Sequence, residues 1–113
     1  MDKNKIIILL QKALFPLGIN KAILFGSYAK GNETELSDID LLVVTNDNFI
    51  PQSFSEKMKL KLKIASALKS LRKHSDIDLI VHTKPMHDKF IQQNSLFKNE
   101  IINTGQIIYE ANN

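Results

Sequence analysis

The stretch that most constrains this chain is Gly26-Ser27 followed, after ten intervening residues, by Asp38-Ile39-Asp40 at the head of an apolar run, Leu41-Leu42-Val43-Val44. The run reads as a buried strand, and so do the residues before Gly26, 21–25. Aspartate is depleted in strands, and carboxylates repeated on one face repel each other. Strand side chains at i and i+2 share a face, so Asp38 and Asp40 are expected side by side, with Leu42 and Val44 continuing that face inward. A divalent cation is the simplest thing that would make such an arrangement favourable. A glycine after a buried strand also lets an anion approach the backbone, where the next N–H groups and the Ser27 hydroxyl could hold phosphate oxygens.

The pattern has an echo. Ser75-Asp76-Ile77-Asp78-Leu79-Ile80-Val81 repeats the chemistry of Ser37-Asp38-Ile39-Asp40-Leu41-Leu42-Val43, while the flanks of the two segments do not match. Two strands delivering carboxylates to one mouth of a sheet account for this better than a repeat architecture. Asp76 and Asp78 share a face of the third strand, and either could join the first pair; Asp78 sits one step deeper.

The remaining pattern supplies the frame. Asp2 can cap a first helix with apolar residues Ile6, Leu9, Leu10, Ala13 and Leu14 at helical spacing, ended by Pro16 and Gly18. Residues 27–37 read as a loop with one helical turn near Tyr28 and Ala29. A long helix is expected from a cap at Ser53 or Ser55 to about Arg72, its core stripe being Leu60, Ile64, Ala67, Leu68 and Leu71. Thr83 and Pro85 open another helix to about Gln93, and Ser95 caps one to about Asn103, with Gly105 as its stop. Residues 106–109 form a plausible last strand. Alternating helices and strands give an α/β (α+β) chain whose small mixed β-sheet is flanked by helices.

A length of 113 residues is expected to form a single domain, 1–113. With no cysteine there is neither a disulfide framework nor thiolate chemistry. The apolar run Ile6 to Leu10 is too short for a signal peptide or a membrane span, so a cytoplasmic location without membrane contact is expected. The net charge of +3 is weak evidence for a nucleic-acid or nucleotide partner. The lysines of the long helix read as a solvated face with no interleaved aromatic residues, so direct nucleic-acid binding is not expected. His74, His82 and His87 lack zinc-ligand spacing.

The pattern Gly26-Ser27…Asp38-Ile39-Asp40, with flanks Gly-Ser-Tyr-Ala-Lys-Gly and Ser-Asp-Ile-Asp-Leu-Leu-Val, resembles the signature of nucleotidyltransferases built on the DNA polymerase β fold. The ending Gly105-Gln106-Ile107-Ile108-Tyr109-Glu110 resembles the close of the stand-alone minimal members. The resemblance implies that Gly26 and Ser27 bind a nucleoside triphosphate and that Asp38 and Asp40 bind Mg²⁺. It further implies a third carboxylate from a neighbouring strand. Asp78, within Ile77-Asp78-Leu79-Ile80, matches that position better than Asp76 and becomes the candidate general base as well as a metal ligand. Lys30 stands where relatives commonly carry arginine and cannot make a bidentate phosphate grip, so it stays outside the site set.

Small members of this type resemble the antitoxin half of pairs whose other half is a HEPN-domain RNase toxin. That implies transfer of AMP from ATP to a hydroxyl, typically of a tyrosine, on the toxin. Two other readings are carried beside it: transfer to a small molecule such as an aminoglycoside, and neutralisation of a toxin by contact alone. An exposed apolar patch beside the site would favour a protein acceptor, and a closed small pocket a small one.

Overall fold

The computed structural model describes residues 2–34 and 37–111. Helix α1 (Lys3–Leu14) starts where Asp2 accepts a hydrogen bond from the Lys5 N–H, and it buries Ile6, Leu10 and Leu14. A 3-10 turn, Phe15–Leu17, follows and closes on Gly18. The chain continues through β1 (Lys21–Phe25), α2 (Gly26–Lys30), β2 (Ile39–Val44), α3 (Phe54–Ala67), α4 (Lys69–Arg72) and β3 (Ile77–His82), then α5 (Lys84–Gln92), α6 (Leu96–Thr104) and β4 (Gln106–Glu110).

The sheet has the order β3-β2-β1-β4. β1 is antiparallel to both β2 and β4, while β2 and β3 run parallel, so the sheet is mixed. Parallel pairing needs a long crossover, and here α3 and α4 provide it. One sheet face meets the larger core: Ala22, Leu24, Ile39, Leu41, Val43, Ile77 and Leu79 pack with Ile6, Leu10, Ile64, Leu68 and Leu71. The other face carries Ile23, Phe25 and Leu42, which pack with Ile101 of α6 and Phe90 of α5. Helices therefore cover both faces. No helix among the described residues is long and apolar enough to cross a membrane.

Three boundaries differ from the sequence reading, each for a local reason. The long helix breaks at Leu68, which has φ −96° and ψ 6°. The Ser66 hydroxyl donates to the Leu62 carbonyl at 2.8 Å, a back-bond of the kind that bends helices, and the break lets both Leu68 and Leu71 reach the core. The expected loop after β1 begins as a five-residue helix, α2, anchored by the buried Tyr28 and closed by Gly31 in the left-handed region; Glu35 and Leu36 of that loop lie outside the described residues. β2 and β3 start one residue later than the aspartate pattern suggests, so Asp38 and Asp76 precede the strands rather than lying on their faces.

Candidate nucleotidyl-transfer site

Asp40 and Asp78 occupy matching positions on the parallel strands β2 and β3, directly opposite each other in the register. Residues opposite each other in a parallel ladder project to the same face, so two carboxylates from segments far apart in sequence meet at one place. Their side chains lie within hydrogen-bonding reach. The third neighbour is Phe25 of β1, which pairs with Asp40 on its other side and leads directly into Gly26.

Gly26 is needed here for two reasons. Its φ of +71° lies in the left-handed region, and a Cβ at this position would collide with the Asp40 carboxylate. The turn therefore rests its backbone against the acid, and Ser27 follows in the first turn of α2.

Burial raises the Asp40 pKa above the ordinary carboxylate value; the charges of Asp78 and Asp38, the hydrogen bond with Asp78 and the charge of Glu100 push the same way. Asp38 is thus near enough for its charge to be felt, yet it is exposed and lines a separate recess with Ser37, Arg72, Lys73, His74, Ser75 and Asp76. The structure accordingly joins Asp40 with Asp78 and sets Asp38 beside Asp76. Among the described residues no three His, Asp or Glu side chains converge as ligands of one ion.

Lys30 forms an ion pair with Glu100 of α6 at 2.8 Å. That contact links α2 to α6 and occupies the lysine. Tyr28 packs in the core.

Asp40 and Asp78 also line a cavity of about 410 Å³ with Phe25, Lys61, Arg72, Ile77, Leu79, Ile80 and Phe97. Phe25 and Phe97 meet edge to face with centroids 5.9 Å apart, and Phe90 extends the row from Phe97 at 6.1 Å. Phe97 is 46% exposed and Leu96 beside it 91%, so this wall opens to solvent as an apolar rim. Lys61, Arg72 and Phe97 escaped the sequence reading. Lys61 and Arg72 look like two more solvated helix cations, and Phe97 like an ordinary amphipathic position; only the tertiary fold sets them around the same cavity as the acids.

The profile described as polymerase beta, nucleotidyltransferase matches residues 4–113. Two proteins of Methanocaldococcus jannaschii named as protein adenylyltransferases are similar. One is 34% identical over 92 residues, covering 80% of this chain and 79% of the relative, and the other 36% identical over 75 residues, covering 66% and 68%. Among solved structures, a toxin–antitoxin crystallised with AMP-PNP superposes with a TM-score of 0.53 at 26% identity, covering 98% of this chain and 75% of that one. A nucleotidyltransferase structure from Sulfolobus solfataricus shares the fold with a TM-score of 0.62 at 15% identity, covering 96% and 83%. The chain belongs to the polymerase β-type nucleotidyltransferase family.

Proposed function

We propose that this protein transfers AMP from ATP to a hydroxyl, that of a tyrosine, on a HEPN-domain RNase toxin and so acts as its antitoxin. The observation that carries the reading is the register pair Asp40–Asp78 pressed against the Gly26 turn. The protein adenylyltransferase names of the relatives and the toxin–antitoxin structure with AMP-PNP support the donor and the kind of acceptor. The open apolar rim at Leu96 and Phe97 favours a protein acceptor over a small molecule held in a closed pocket.

Nucleotidyl transfer needs positioning and charge neutralisation more than covalent help. Two crowded carboxylates, one with a raised pKa, suit a hard cation, which prefers carboxylate and phosphate oxygens. Asp40 and Asp78 would hold Mg²⁺, with Asp38, set apart beside Asp76 but near enough for its charge to reach Asp40, as the third ligand if it turns inward; the ion when bound would offset the charge of the triphosphate. Gly26 and Ser27 hold the phosphates through backbone N–H groups and the Ser27 hydroxyl. Asp78 orients the acceptor hydroxyl and takes its proton as the oxygen bonds to the α-phosphorus and pyrophosphate departs. The exposed side of Asp78 is free to meet that hydroxyl, while Asp40 lies deeper against the turn.

Intact mass after incubation with the toxin partner, ATP and Mg²⁺ tests this. Additions of about 329 Da per AMP are expected on the partner (an adenylyl increment by simple chemistry), and Asp78→Asn should abolish them while ATP still binds. An unchanged partner mass with wild-type protein would defeat the reading.

A further inference from the structure

β3 is an edge strand. The Ile39 N–H donates to the Asp76 carbonyl and the Thr45 N–H to the His82 carbonyl. In a parallel ladder this phase turns the N–H and C=O of residues 78 and 80 inward to β2, and those of Ile77, Leu79 and Val81 outward. No strand among the described residues pairs with that outer side. The cavity at the acidic pair touches Ile77, Asp78, Leu79 and Ile80 in succession. Consecutive strand residues face opposite sides of a sheet, so a cavity that meets all four must run along the edge and reach both faces.

The two faces differ in chemistry. On one side of the edge stand Asp78, Asp40, Phe25 and Phe97. On the other, where Ile77 and Leu79 pack with α3 and α4, stand Lys61 and Arg72. Neither cation makes an ion pair among the described residues.

We propose that the acceptor reaches the site as an extended acidic segment that adds to the outer edge of β3. The proposal rests on the protein-acceptor reading above and names what that acceptor looks like. Strand addition supplies main-chain hydrogen bonds, and alternate side chains supply the specificity. An added strand lies about 4.8 Å from β3, with successive side chains on opposite faces. A hydroxyl residue directed to Asp78 sets its ring against Phe25 and Phe97. Its immediate neighbours in sequence then point to Lys61 and Arg72, which favour carboxylates there. The substrate class is an extended segment with an aromatic hydroxyl residue flanked by Asp or Glu.

Two blocked heptapeptides test it, one with tyrosine between aspartates and one with tyrosine between lysines. In ¹H–¹⁵N spectra without nucleotide, the aspartate peptide should shift the amides of Ile77, Leu79 and Val81 and slow their hydrogen exchange. With ATP and Mg²⁺ it should accept AMP with a kcat/KM higher by about tenfold, corresponding to about 1.4 kcal/mol. Lys61→Glu combined with Arg72→Glu should invert the preference. Shifts confined to another surface overturn the proposal. So does a charge-swapped protein that keeps the peptide preference but loses ATP affinity, which would assign both cations to the triphosphate. Wild-type exchange protection needs no variant to fold. Edge protection without AMP transfer to any acceptor would sink the transfer reading alone, and AMP transfer to an acceptor seated elsewhere would sink the docking alone.

Discussion

At Gly26 a single added carbon separates two outcomes. Gly26→Ala drives a methyl into the Asp40 carboxylate and asks alanine to hold a φ of +71°. The left-handed conformation alone costs about 1–2 kcal/mol. The variant is expected to melt several degrees lower and to lose AMP transfer, as thermal unfolding and partner mass together would show. Asp40→Asn is the opposite case. It removes one charge from the crowd of Asp38, Asp78 and Glu100 around a partly buried group. We expect transfer to vanish while the melting temperature in metal-free buffer stays level or rises. A fall of more than a few degrees would mean that Asp40 holds the fold rather than the chemistry. Asp40, Gly26 and Ser27 were legible because residue type and spacing both depart from what an ordinary strand and turn need. Lys61 and Arg72 were not, since a lysine or arginine on a helix reads the same whether it stands in open solvent or lines a cavity.

Among the elements, the junction of β3 and α5 holds a pair the pattern gave no sign of. His82 ends β3 and His87 lies in the first turns of α5, with Nδ1 atoms 3.2 Å apart and Phe90 against both rings. Thr83 caps α5 between them through the Met86 N–H and is fully buried, which fixes the spacing. Burial and the neighbouring His87 lower the His82 pKa to about 4; burial and Lys21 lower that of His87, against a smaller opposing effect of Asp88. Lys21 is itself paired with Glu110 at 3.3 Å. A histidine lowered in the folded state keeps its contribution at neutral pH. That contribution is lost as pH falls from about 6.5 through about 4, because the unfolded chain takes up protons the folded one refuses. Denaturant titrations should show a loss on the order of 2–3 kcal/mol over that window. His82→Asn should flatten the slope, and an unchanged slope would remove His82 as its source. The existence of the four strands, the caps at Asp2, Thr83 and Ser95, and the meeting of Asp40 and Asp78 at one mouth of the sheet could all be read from local chemistry. The break at Leu68 and the histidine contact could not: the first depends on a hydroxyl turning back on its own helix, and the second on where α5 comes to rest.

For the whole molecule, the order in which contacts can form differs along the sheet. β1 and β2 are antiparallel neighbours in sequence, whereas β3 joins only after α3 and α4 have crossed over. Contacts that close long loops are the costlier ones to establish. Native-state hydrogen exchange is expected to rank the inward β3 amides of Asp78 and Ile80 below those of β1 and β2 in protection. Equal protection throughout would mean that the sheet opens only as one unit.

The register of β2 against β3 also sets when the acidic pair can exist at all. Asp40 meets Asp78 only once α3 and α4 have crossed over and the parallel strands have paired. On the proposed reading, a copy that has not yet closed this pairing lacks the aspartate assigned to the incoming hydroxyl, so transfer would wait on the last strand to dock.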